Sequence, residues 1–133
     1  MADSLEIRLI PIGPSGYSET YKIYYEDRHK WAKDGGNWPI IKMEEIGLYK
    51  MTAGQEYYWP IDASVRTPLQ GNPYMFSCDI GSETDTHLTC DAYYQLNAEV
   101  SVRVEFTKIH LKDWKSMFYK VQEFIKSIER KRP

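Results

Sequence analysis

The fourteen residues CDIGSETDTHLTCD, 78 to 91, gather Asp79, Glu83, Asp85, Asp91, His87 and the thiols of Cys78 and Cys90. Clustered carboxylates suit calcium, Cys with His suits zinc, and a histidine oriented by a carboxylate can act as a base, here His87 with Asp85 or Asp91. The spacing fits no EF-hand. In a hairpin, His87 and the cysteines would also fall unevenly on the two faces, so the segment reads as a solvated turn whose cysteines are small apolar side chains. Neither a metal nor a cofactor is expected. The sequence has no GxxxxGK[ST], GxGxxG, HExxH or CxxC, which removes the common phosphate, dinucleotide, zinc-protease and redox signatures. His29 and His110 stand far from His87 in sequence.

A second chemistry resides in the aromatics. Eleven tyrosines and four tryptophans concentrate in TYKIYY, HKWAKDGGNW, EYYW and DAYY. Such side chains supply contact area at small entropic cost and dominate protein interfaces, although strands also favour them for packing alone. Trp31 and Trp38 flank a glycine-rich loop and are expected to be exposed. Tyr49 and Tyr58, with Tyr24, are placed opposite the expected core, and Glu44, Glu45 and Glu56 lie near enough to steer a partner electrostatically.

These features point to a non-enzymatic protein-binding module, of the kind that inhibits or neutralises another protein as immunity-type inhibitors do, by masking it with an acidic and aromatic surface. The alternatives are a small-ligand binder with an aromatic-lined pocket between sheet and helix, and a small enzyme built on His87 with a carboxylate. A homodimer through the terminal helix is a further option.

Charge narrows the partners. Net charge is −2, but residues 108–132 carry eight Lys or Arg against three acids, and residues 1–107 carry nine against sixteen. Lysines beside aromatics could form a stacking platform for nucleic acid, yet those aromatics belong to the helix's apolar stripe and the rest of the chain is acidic. Neither nucleic acid nor membrane is expected as a partner. No apolar run reaches membrane-span length, and MADSLEIRL lacks the basic start and apolar core of a signal peptide. A cytoplasmic location with reduced Cys78 and Cys90 is therefore expected, with a disulfide between them the alternative under oxidation should they face each other across a hairpin.

Positioning these residues requires a scaffold. A chain of 133 residues, 42% apolar and 27% charged, makes one compact domain. Period-two patterns predict strands over 5–12, 20–26, 46–51, 56–61, 74–80, 87–96 and 100–109, and spacings of three and four predict a helix over 111–131. The first two strands are expected to pair as a hairpin. A two-residue loop at Ala53-Gly54 would oppose Met51 to Glu56 and Tyr49 to Tyr58, placing Tyr57 and Trp59 on the core face with Leu48. A turn centred on Thr84 would face Cys78 with Cys90, and a turn at Asn97-Ala98-Glu99 would pair Tyr94 with Val102 and Ala92 with Val104.

On the helix, Leu111, Trp114, Phe118, Val121, Ile125 and Ile128 form the apolar stripe, widened by Met117 and Phe124. The expected fold is α+β: an antiparallel, strongly bent sheet or partial barrel of six to seven strands packed against one long C-terminal amphipathic helix. In element order, with Trp114 in the first helical turn, it is similar to pleckstrin-homology folds.

Overall fold

The computed structural model describes residues 5–11, 39–82 and 84–130. Seven strands precede one helix: β1 (Glu6–Pro11), β2 (Ile40–Met43), β3 (Leu48–Thr52), β4 (Glu56–Pro60), β5 (Phe76–Cys78), β6 (Thr89–Gln95) and β7 (Val100–Thr107). A 3-10 segment, Lys108–Asp113, then leads into α1 (Trp114–Arg130). All neighbouring strands are antiparallel in the order β1-β7-β6-β5-β4-β3-β2. The fold is α+β, and the sheet stays open, with β1 and β2 at its edges among the described strands.

One face carries the main core. Period-two alternation sends Val102, Val104 and Phe106 of β7, Cys90, Ala92 and Tyr94 of β6, Phe76 and Cys78 of β5, Tyr58 of β4 and Leu48 of β3 to the same side. There they meet Leu111, Trp114, Val121 and Ile125 of the C-terminal segment. The Tyr74 ring sits 5.0 Å from Phe118, 5.1 Å from Phe76 and 5.3 Å from Tyr94, in tilted and edge-on geometries that suit the ring quadrupoles. Val121 and Leu111 are almost wholly withdrawn from water, each burial stabilising by roughly 1.5–3 kcal/mol.

The β6–β7 hairpin has the expected register, Ala92 opposite Val104 and Tyr94 opposite Val102, closed by Leu96 N donating to Val100 O at 2.9 Å. Cys78 likewise faces Cys90. The β3–β4 hairpin differs by one residue, with Tyr49 opposite Trp59 and Lys50 opposite Tyr58. Its turn has three residues, because Gly54 at φ 79° and a bond from Ala53 N to Gln55 O (2.9 Å) close a longer loop than the two-residue one expected.

That slip exchanges the faces of β4 relative to β3. Tyr58 joins the core beneath the helix, while Tyr57 and Trp59 pack with Met51, Ala53 and Met75 on the opposite side. All five residues of β4 are buried, so the aromatic run serves both faces of the sheet.

Other boundaries moved too. The expected strand 20–26, and with it the first hairpin, lies outside the described residues; the described neighbour of β1 is β7. β2 was not expected, being four residues long behind Pro39, with Ile40 and Ile41 exposed. The helix begins at Trp114 instead of 111, because residues 108–113 take a tighter 3-10 path without a side-chain cap. Phe124 is exposed and does not widen the stripe.

Candidate interaction surface

Position 108 continues the inward alternation of Val102, Val104 and Phe106, and it holds a lysine that is 1% exposed. Its ammonium carries three donors, and each has an acceptor: Glu56 Oε1 at 2.5 Å, Asp79 O at 2.8 Å and Gly81 O at 2.8 Å. Glu56 lies opposite Cys78 on the same face. Its carboxylate also accepts from the Tyr58 hydroxyl at 2.6 Å and stands 3.8 Å from Lys50 Nζ. Burial opposes the charge on Glu56, but bonds from Lys108 and Tyr58 and the charges of Lys108 and Lys50 outweigh it, holding the carboxyl below its usual value.

This buried pair anchors the β5–β6 loop. Asp79 N donates to Thr89 O at 3.0 Å, and Asp79 Oδ2 accepts from Thr89 N at 3.0 Å. Lys108 N donates to Leu88 O at 2.8 Å. Gly81, at φ 150°, lets its carbonyl reach Lys108, and a Cβ there would stand 2.6 Å from Leu88 Cδ1. Cys78 and Cys90 close the base of the loop as a disulfide, so the expectation of reduced thiols is corrected: the register places their Cα atoms 4.0 Å apart. Above these anchors Ile80, Ser82, Thr84, Asp85, Thr86 and His87 are exposed.

The residues expected to bind a partner are dispersed. Glu56 and Tyr58 are 6% and 1% exposed, so neither contributes to a surface; the shifted β4 register turned both toward Lys108. Tyr49 is half-buried against Trp59, ring centroids 5.7 Å apart, and lines a cleft of about 250 Å³ with Pro60, Arg66 and Pro73. Trp31, Trp38 and Tyr24 lie outside the described residues.

Glu44 and Glu45 are exposed in the β2–β3 turn, on the rim of a groove of about 560 Å³ that also contains Lys42, Asp62, Lys112 and Lys115. Among the described residues three carboxylates there are matched by three lysines, so their formal charges balance. Ser64 donates to Asp62 from both its hydroxyl (2.6 Å) and its backbone N (2.9 Å), and these bonds, with Lys115 nearby, keep that carboxyl below its usual range. Trp114 closes the inner wall, its Nε1 donating to Ile46 O at 2.6 Å.

His87 is exposed, and Asp85 Oδ1 accepts from its backbone N at 2.8 Å. Asp91 pairs instead with Arg103 at 3.3 Å, and burial raises its carboxyl above the usual range despite that partner. Among the described residues no group of acids, histidines and cysteines is arranged to hold a metal ion. Among the described residues, aromatic side chains pack between sheet and helix, and the cleft beside Leu9, Val100 and Ile125 is about 40 Å³. Among the described residues no helix is long and apolar enough to cross a membrane.

Sequence reasoning missed Lys108 as the organiser of the site. The signal was present, since the alternation of the last strand puts a charge at an inward position. Compared with protein-family models, curated proteins and solved structures, the chain matches none.

Proposed function

We propose that this chain is a protein-binding module that presents the 79–88 loop as a preformed docking element and inhibits or neutralises the protein it binds. The observation that supports this most is the arrangement beneath the loop. A lysine ammonium is buried, and two of its three hydrogen bonds go to loop carbonyls. Burying a charge costs several kcal/mol before compensation, and what this one holds is the backbone at Asp79 and Gly81, where the loop leaves β5. A loop fixed before binding loses little conformational entropy when a partner arrives.

Ile80, 55% exposed, supplies an apolar anchor within the loop. Asp85, with Glu83 by sequence, favours a basic partner surface. Glu44 and Glu45 rim a separate groove and serve at most as a second contact; Trp31 and Trp38 enter this reading through the sequence alone. The Cys78–Cys90 bond favours an oxidising compartment over the cytoplasm.

The test uses the wild-type chain and an Ile80→Asp/Asp85→Lys variant as baits in host lysate, with native mass spectrometry of what each retains. A protein held at fixed stoichiometry by the wild type and weakened at least about tenfold by the variant supports the reading, given the size of typical anchor contributions. Equal retention by a normally folded variant contradicts it.

A further inference from the structure

Cys78 and Cys90 are each 1% exposed. Reduction of a disulfide begins with a thiolate attacking one sulfur, so a bond covered this completely resists attack until something moves. The chain runs from Cys78 directly, and from Cys90 through Thr89, into the β5–β6 loop, whose first residues are held by Lys108 through Asp79 O and Gly81 O, both at 2.8 Å. Lys108 is held in turn by Glu56, which faces Cys78 across the strand pair. The sheet row Glu56, Cys78, Cys90, Phe106 thus sets Glu56 next to Cys78 on the side the helix covers, with Lys108 two residues beyond Phe106 reaching back to Glu56.

We propose that Lys108, anchored on Glu56, is a latch that keeps the β5–β6 hairpin shut over the Cys78–Cys90 disulfide, so that a dithiol reaches the bond only when the latch opens. This inference stands apart from the docking role of the loop. With the latch open, one thiolate of the dithiol attacks a cysteine sulfur, the S–S bond breaks, and the other cysteine leaves as a thiolate that takes up a proton. The second thiol of the reductant then closes its own disulfide and releases the remaining cysteine. Two electrons and two protons pass from dithiol to chain, and the same event frees the loop from its covalent staple. The folded chain therefore retains its disulfide in mildly reducing surroundings.

The experiment incubates the intact protein with dithiothreitol, quenches with N-ethylmaleimide and counts modified cysteines by intact mass. The wild type is expected to be reduced at least about a hundredfold more slowly than the same chain in guanidinium, as for any bond exposed only by local opening. Glu56→Gln and Lys108→Met should each be reduced at least about tenfold faster than wild type, since each loses a charged hydrogen bond of the latch.

Circular dichroism checks that the variants remain folded. If Lys108→Met fails to fold, Glu56→Gln, which keeps the side-chain shape and a carbonyl acceptor, decides. Wild-type reduction within about threefold of the unfolded rate would overturn the proposal, because no local protection would then exist. So would a folded Glu56→Gln variant reduced at the wild-type rate.

Discussion

The two ends of the sheet carry charged surface in opposite ways. At one end the β5–β6 loop is tied at Asp79 and Gly81 to a buried ion pair at 2.5 Å, and at its base to a disulfide. At the other, the turn of Glu44 and Glu45 carries its charges in water, where Lys42 and Glu44 approach to 3.5 Å with both side chains more than half exposed. Exposed pairs of that kind contribute about 0–1 kcal/mol, whereas removing one partner of a buried pair costs about 3–5 kcal/mol. The lesson is that a buried charge fixes the shape of a surface, and exposed charges only decorate it.

Breaking the buried side of the comparison should have the largest effect. Lys108→Met leaves Glu56 buried beside Tyr58 with its principal counter-charge gone, and should lower unfolding stability in urea by about 3–5 kcal/mol. A loss under about 1 kcal/mol would mean that the ammonium is solvated in the native protein.

Removing the staple comes next. Replacing Cys78 and Cys90 together by serine opens a loop of sequence separation 12, worth about 3 kcal/mol by loop entropy, and thermal melting under non-reducing conditions reads the change.

Acid sharpens the comparison further. The Glu56 carboxyl titrates below its usual 4.5 in the folded chain, so its contribution is fully present above about 4.5 and is lost as pH falls through the lower folded value. Stability should therefore drop in that acidic window, and Glu56→Gln should flatten the drop; an unchanged profile would assign it to other carboxylates. Glu44→Gln with Glu45→Gln should change stability by no more than about 0.5 kcal/mol at neutral pH, which a urea titration can bound.

Much of the scaffold was legible in the sequence. Strict alternation of Tyr94, Ala92, Val102 and Val104 specified both faces and the register of β6 and β7, since a one-residue slip would have set Gln95 against Val100. The β3–β4 register was less legible for the same reason. Both faces of EYYWP are apolar, so pattern alone does not choose between them, and the turn at Gly54 decided. β2 escaped because four residues with exposed isoleucines show no periodicity to read.

The candidate site was half legible. The acidic turn and its facing cysteines follow from the spacing, but Tyr58 takes the outer face only in a register one residue off the true one, and the charge of Glu56 does not reveal that a lysine fifty-two positions away completes the pair. Only long-range pairing brings Glu56 and Lys108 together.

Amide hydrogen exchange resolved by peptide tests the central claim most directly, that Lys108 holds the 79–88 loop in shape. In the wild type, the amides of Asp79, Thr89 and Lys108 should be protected, and Lys108→Met or Glu56→Gln should raise exchange across 79–88 while leaving the 44–47 turn unchanged. Wild-type exchange across 79–88 at the rate of an unfolded peptide would contradict the account.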